Sequence, residues 1–94
     1  MATRQQARMA VVSLLYAFDL GNGNIAQHTD EILEEKKIRN KQKDFALTLY
    51  EGVMKNIAPV DEAIIKHLKE WDFERLGAIE RATLRLATYE ILFG

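Results

Sequence analysis

The sequence predicts an all-α protein of about five helices. Apolar residues recur at helical spacing along most of the chain, and clusters of glycine, asparagine and proline interrupt that spacing at a few points. No stretch shows the strict alternation of a strand. The strongest pattern covers 76–93, LGAIERATLRLATYEILF, whose apolar residues occupy two arcs of a helix. A helix that is apolar on most of its circumference packs against several neighbours, so we expect it at the centre of the fold.

Length and composition limit the possible functions. The chain has 94 residues, enough for one domain, with 48% hydrophobic and 29% charged residues. Its net charge of −1 does not indicate a general polyanion binder, so any nucleic-acid site must come from local clustering. No apolar run is long enough to span a membrane, and the short N-terminal apolar run does not resemble a signal peptide. The absence of cysteine excludes disulfides and is compatible with a cytoplasmic protein.

The first helix is predicted to run from Arg4 to about Leu20. Thr3 and Gln6 have the spacing of a capping box, in which each side chain bonds the other residue's backbone. The predicted core face of this helix contains Ala7, Ala10, Val11, Leu14, Leu15 and Phe18. A Gly-Asn-Gly-Asn segment follows and ends the helix.

Three further helices are predicted before the final one. A short second helix covers 30–37, with Thr29 or Asp30 as its cap, and a third covers 41–57, with Asn40 as its cap.

Pro59 suits the first turn of the fourth helix, which is expected to reach Glu70 or Trp71. Residues 72–75 then form a connection or a tight turn before the last helix.

Catalytic chemistry is not indicated. Ser13 lies in a helix without a histidine placed to activate it, and His28 and His67 have the surroundings of surface residues. Gly21 and Gly23 lack the lysine and hydroxyl residue of a phosphate-binding loop. We therefore expect no enzyme activity, no metal and no cofactor.

Two basic features are candidates for binding. Residues 36–43, KKIRNKQK, contain five cations and no acid, beginning with Lys36 and Lys37. This run can equally be a solvated turn with lysines at a helix C-terminus.

The second basic feature lies on the first helix. Arg4 and Arg8 are one turn apart, Gln5 lies beside them, and Tyr16 follows two turns later. Arginine forms forked contacts with phosphate, glutamine can contact base edges, and tyrosine can stack on an unpaired base. A solvated helix face is the alternative. Because Arg8 lies beside the apolar stripe, we expect its replacement to leave stability nearly unchanged.

Two motifs resemble those of a known family. Ala7-Arg8, Leu15-Tyr16 and Asp19 resemble the first helix of the NusB family of transcription antitermination factors. The run RLGAIERATLRLATYEI, 75–91, is similar to that family's ordered signature of an acid and a base, an alanine, Leu-Arg-Leu-Ala and Tyr-Glu. The intervening helix lengths and the IAPVDEAI junction also agree, so the resemblance covers the whole chain.

The resemblance implies a fold of two small helical bundles. Residues 1–57 would form the first bundle, and 58–94 would begin the second. It also implies binding to boxA-type single-stranded RNA together with the ribosomal protein NusE, within the RNA polymerase antitermination complex and without catalysis.

The resemblance also carries roles for individual residues. Arg4 and Arg8 would belong to an arginine-rich RNA-binding patch. Tyr16 and Glu80 would lie at or beside the surface shared by RNA and NusE. Arg85 and Glu90 are interpreted as structural charges that meet buried partners.

The sequence also departs from the family pattern. Gln5 and Gln6 stand where relatives often carry arginine, which would weaken RNA binding. Family members continue with two more helices, carrying an Asn-Glu-Ala-Ile-type and a Phe-Val-Asn-Gly motif, so we expect a C-terminally incomplete bundle. Too few helices would then cover the last one, and we expect self-association through its exposed face or marked instability. The apolar residues concerned are Ile79, Leu84, Leu86, Tyr89, Ile91 and Phe93.

Two alternative functions remain open at this point. One is the NusB-like RNA-binding module of a ribosomal RNA methyltransferase, which would require a catalytic α/β domain. The other is a helical scaffold that binds only proteins. RNA affinity falls steeply with salt, whereas a mainly apolar protein contact responds little, so salt dependence separates the scaffold from an RNA-binding protein.

Overall fold

The computed structural model describes residues 2–21, 24–68 and 72–93, and these contain five α-helices and no strand. The helices are α1 (Arg4–Asp19), α2 (Thr29–Glu35), α3 (Lys41–Lys55), α4 (Ile57–His67) and α5 (Ala78–Phe93), with short 3-10 helices at Ile25–Gln27 and Phe73–Arg75. The prediction of an all-α fold is confirmed. Within the described residues, no helix is both long and apolar enough to cross a membrane.

The predicted start of α1 is confirmed in atomic detail. The Gln6 backbone N–H donates to the Thr3 hydroxyl over 3.1 Å, and the Thr3 backbone N–H donates to Gln6 Oε1 over 2.8 Å. This reciprocal pair satisfies two backbone donors that a helix start otherwise leaves open. The helix ends at Asp19, and Gly21 follows with φ +88°, a conformation that glycine adopts without steric cost.

α2 ends two residues before the predicted position 37. Lys37 adopts φ 60°, its N–H donates to the Glu34 carbonyl over 3.0 Å, and the Ile38 N–H donates to the Leu33 carbonyl over 2.9 Å. These two bonds form the Schellman arrangement, in which a left-handed residue closes a helix. Lys37 therefore occupies the position where glycine is usual, and Lys36 and Lys37 both lie beyond the last residue of the helix.

The predicted cap of α2 is wrong, whereas Asn40 is the N-cap residue of α3 as predicted but makes no side-chain capping bond. Thr29 and Asp30, the predicted caps of α2, lie inside the helix in its first turn. The residue before the helix is His28, and its side chain makes no capping bond. Asn40 does precede α3, but its backbone has φ 57° and ψ −128° and its side chain makes no capping bond. A capping side chain reaches the helix N–H groups from an extended backbone, which Asn40 does not have.

Only Asn56 separates α3 from α4, so the third helix ends earlier than predicted. Pro59 lies in the first turn of α4, where its missing N–H leaves no helical bond unmade. α4 ends at His67. The predicted end at Glu70 or Trp71 lies outside the described residues.

Two hydrophobic clusters form the core, and α5 contributes to both. The larger cluster is built mainly from α1 and α3 with Ala82 and Leu86 of α5, and the smaller one contains Val60, Ile64 and Phe73. Half-buried Tyr89 packs against both clusters. The division of the chain into a first bundle and the start of a second stays a prediction, since α5 belongs to both groups of contacts.

A charged network connects α1, α4 and α5. Arg85 is only 6% exposed, and it donates from Nε and Nη2 to the two carboxylate oxygens of Asp61 over 2.8 and 2.9 Å. Its Nη1 also lies 3.3 Å from Asp19 Oδ1, and Asp19 Oδ2 accepts from Arg81 Nε over 2.6 Å. A forked arginine–carboxylate pair has demanding geometry, so this network sets how the three helices lie against one another.

A second ion pair joins the opposite ends of α1 and α5. Arg8 Nε lies 3.1 Å from both Glu90 carboxylate oxygens. Because Arg8 precedes Asp19 on α1 whereas Glu90 follows Arg81 on α5, the two helices run antiparallel. Arg8 and Asp19 are about 16 Å apart along α1, and Arg81 and Glu90 are about 14 Å apart along α5. The two ion pairs therefore lie at opposite ends of the interface between these helices.

The other helices leave several apolar side chains of α5 exposed to solvent. Of the six apolar residues expected to exceed the available cover, Leu86 is buried and Leu84 and Tyr89 are half-buried. Ile79, Leu92 and Phe93 are about half exposed, and Ile91 is 83% exposed. Exposed apolar side chains therefore lie at both ends of α5, with three of the four in its last turn.

We predict that Gly52→Ala destabilises the protein. A Cβ at Gly52 would overlap the hydroxyl and ring of Tyr89, which stacks on Phe93 with ring centroids 5.5 Å apart. Overpacking costs about 1–3 kcal/mol and outweighs the gain of about 1 kcal/mol in helix propensity. Urea unfolding should show a lower midpoint. In the control Gly77→Ala, the new Cβ meets only the flexible Glu80 carboxylate, so an equal loss there would contradict this explanation.

We also predict that Arg85→Ala is strongly destabilising. It leaves Asp61 and Asp19 without their shared partner, and breaking a buried pair costs about 3 kcal/mol or more. The free energy of unfolding from urea titration measures this loss. Arg75→Ala removes the same charge from an exposed arginine and should change stability by less than about 0.5 kcal/mol.

Self-association through α5 stays a prediction that the exposed side chains support. Covering an apolar side chain such as Ile91 gains about 1.5–3 kcal/mol, which favours association of two copies through this helix. Sedimentation at micromolar concentration should show species larger than one chain, and Ile91→Lys should shift them toward the monomer. A well-folded monomer at that concentration rules out this expectation.

Candidate nucleic-acid interface

Two predicted RNA-binding arginines meet on one aromatic ring. The guanidinium carbon of Arg4 lies 4.7 Å from the ring centroid of Phe45, and that of Arg8 lies 5.3 Å from the same centroid. Phe45 is half-buried in the first turns of α3, which packs against α1. A ring face attracts cations, so Phe45 brings two positive groups together that would otherwise repel each other.

Arg8 is more engaged than its position in the sequence indicates. Its Nε donates to Glu90, and its side chain is 34% exposed. The ion pair joins α1 to the far end of α5, a contact that the position of Arg8 beside the apolar stripe did not indicate, and the expectation that replacing Arg8 leaves stability nearly unchanged stays a prediction. A half-exposed pair of this kind contributes at most about 1 kcal/mol.

Three other predicted RNA-binding residues line one open groove between α1 and the turn that follows α2. The groove has a volume of about 760 Å³ and contains Gln5, Lys36 and Lys37. The rest of its lining combines apolar side chains with amide, hydroxyl and guanidinium groups: Ala2, Gln6, Met9, Ala10, Ser13, Ile38, Arg39 and Asn40. Apolar surface combined with amide side chains suits a flat polar ring such as a nucleobase.

The basic turn is only partly neutralised. Lys43 Nζ lies 3.0 Å from Asp30 Oδ1 and 2.6 Å from Glu34 Oε1, and Arg39 Nε lies 3.0 Å from Glu34 Oε2. The hydrogen bond from Lys43 lowers the pKa of Glu34 and raises the pKa of Lys43 itself. Among the described residues, no ion pair engages the two groove lysines, which are exposed. Together with exposed Lys41, which does not line the groove, they are the cations of the 36–43 run that make no ion pair among the described residues.

The backbone beside the groove is strained at two non-glycine residues. Lys37 has φ 60° and Asn40 has φ 57°. Such conformations cost of the order of 1–3 kcal/mol and occur preferentially where a function requires them. The two residues between them, Ile38 and Arg39, line the groove together with them.

Tyr16 and Glu80 lie at the other end of the α1–α5 interface. Tyr16 is 39% exposed and precedes Asp19 by one turn, whereas Glu80 is exposed and adjoins Arg81. Each of the two residues therefore lies within one turn, along its own helix, of the ion pair between Asp19 and Arg81. Tyr16 lies about 18 Å from Arg4 along α1, so it belongs to a different part of the surface from the arginine pair.

Sequence reasoning missed the roles of Phe45 and Asn40 in this interface, and it predicted a structural partner for Glu90 without identifying it as Arg8. The four-residue spacing of Phe45 with Leu49 and Val53 indicated a core position. Its ring also contacts the two arginines, and this depends on α1 packing against α3. Asn40 was interpreted only as a cap. Glu90 meets Arg8 across 82 residues of sequence, and no local pattern signals such a contact.

Known proteins resemble this chain over its whole length. The NusB family matches residues 5–94. A transcription antitermination protein NusB of Sulfurimonas denitrificans is 94% identical over 94 residues, which are all of this chain and 71% of that protein. A second one, from Sulfurovum sp., is 60% identical over 92 residues, covering 98% of this chain and 71% of the relative.

A solved structure shows the same fold. It is a chain from a crystal structure described as "Crystal Structure of a Plectonemic RNA Supercoil", with a TM-score of 0.87 and 38% identity. The match covers 99% of this chain and 68% of that one. The family match over nearly all residues, the identity to named relatives and the shared helical architecture agree: this chain belongs to the NusB family.

Proposed function

We propose that this protein is a non-catalytic transcription antitermination factor that binds boxA-type single-stranded RNA together with the ribosomal protein NusE. The observation that carries the proposal is that a chain of net charge −1 places pairs of cations on two sides of α1. Arg4 and Arg8 share the Phe45 ring, and Lys36 and Lys37 line the groove beside α1.

The arrangement suits an unpaired strand. The two arginines supply forked donors and the two lysines supply point charges, both for phosphates. Gln5 offers an amide donor and acceptor at the groove, where an unstacked base can be contacted along its edge. The open shape of the groove fits a flexible single strand better than an enclosed small molecule.

The second part of the proposal concerns the protein partner. Tyr16 and Glu80, at the far edge of the α1–α5 interface, offer an aromatic ring and a carboxylate to NusE or to RNA that reaches this edge. With both ligands bound, the protein would act in the RNA polymerase antitermination complex in the cytoplasm. The names of the relatives and the RNA crystal of the structural neighbour support this role.

A titration with a short boxA-type RNA, with and without NusE, tests the proposed function. We expect binding that tightens when NusE is present and weakens steeply with salt, since displaced counterions dominate RNA affinity. A protein-binding scaffold would instead bind NusE with little salt dependence and show no affinity for the RNA.

We predict that Arg8→Ala weakens binding to RNA of any sequence. It should also reduce the log–log salt slope by about 0.7, the increment for one phosphate contact on a single strand. Arg8→Lys should recover the slope but only part of the affinity, because it keeps the charge and loses the fork.

The matched control is Arg75→Ala, an exposed arginine close to the start of α5 and far from Glu90. Circular dichroism should show that all three variants remain helical. If Arg8→Ala leaves both affinity and salt slope unchanged, α1 is not part of the RNA site and the lysine-lined groove becomes the leading candidate.

A further inference from the structure

We propose that Glu90 is a positioning residue for RNA, because it holds the Arg8 guanidinium on the Phe45 ring with both terminal nitrogens left for a phosphate. This inference rests on the proposed function and adds a residue to it that does not itself touch RNA. It is carried by the geometry around Arg8 and does not depend on the groove.

The contact with Glu90 involves only the Nε nitrogen of the Arg8 guanidinium. Both Glu90 carboxylate oxygens lie 3.1 Å from Arg8 Nε. Among the described residues, no hydrogen bond engages Arg8 Nη1 or Nη2. Those two nitrogens carry four of the five N–H donors and form the end of the fork that binds a phosphate.

The guanidinium is restrained from two directions. The Phe45 ring lies against its face at 5.3 Å from the guanidinium carbon, and Glu90 fixes its Nε edge. Arg4 lies over the same ring at 4.7 Å. An arginine normally loses much rotamer freedom when it binds, and a side chain held beforehand in the binding geometry avoids that loss.

The carboxylate also has an opposing effect that the experiment must separate. Glu90 is negative and repels RNA, so removing its charge alone favours binding. Glu90→Gln and Glu90→Ala remove the same charge, but only glutamine keeps an oxygen that can accept from Arg8 Nε. The difference in RNA affinity between these two variants therefore reports the positioning of Arg8.

The test is a double-mutant cycle with a fluorescent boxA-type single-stranded RNA. We expect Glu90→Ala to bind about three- to tenfold more weakly than Glu90→Gln, the effect of leaving one long side chain to be immobilised on binding. In an Arg8→Ala background the two substitutions at position 90 should give equal affinity. Thermal melts of all variants establish that each one folds.

Equal affinity of the two Glu90 variants overturns the inference, and so does a difference that persists without Arg8. Neither of these results touches the proposed function, provided that Arg8→Ala weakens binding. If Arg8→Ala alone has no effect, both the inference and the assignment of Arg8 to the RNA site fail. Absence of RNA binding by the unaltered protein rejects the proposed function itself.

Discussion

Buried Arg85 and the partly buried charges of Asp19, Asp61 and Arg81 join three helices at the point where they meet. Arginine in a mostly apolar interface is tolerated only with its donors satisfied, and the forked contact with Asp61 has a narrow range of geometry. The network therefore contributes more to the relative placement of α1, α4 and α5 than to net stability. An apolar contact of the same area would allow the helices to slide.

That placement determines what the surface can do. Because α1 and α5 run antiparallel between two ion pairs, the N-terminal turns of α1 lie beside the last turns of α5. Arg8 thereby meets Glu90 on one side and Phe45 of α3 on the other. The basic turn after α2 lies across the opposite side of α1 and leaves a groove between them. The arginine pair and the groove therefore both include residues of α1.

The two candidate binding regions differ in how firmly they are held. The arginine pair rests on a half-buried ring and an ion pair, so its geometry exists before any ligand arrives. The groove lysines have only a backbone turn behind them, kept in a strained conformation by the Schellman bonds that end α2. Long lysine side chains on such a turn adapt to a phosphate rather than select its position.

Local patterns in the sequence determined the fold class, the capping box of α1 and the core stripes, because these depend on spacing within one helix. They also identified Arg4, Gln5, Arg8, Lys36 and Lys37 as residues of interest. Only the tertiary structure decided which of these lie together. The Phe45 platform, the Glu90 contact and the groove each join segments far apart in sequence, and helix periodicity carries no information about which faces meet. The early end of α2 has the same origin: Ile38 becomes buried in the core, and the chain leaves the helix to place it there.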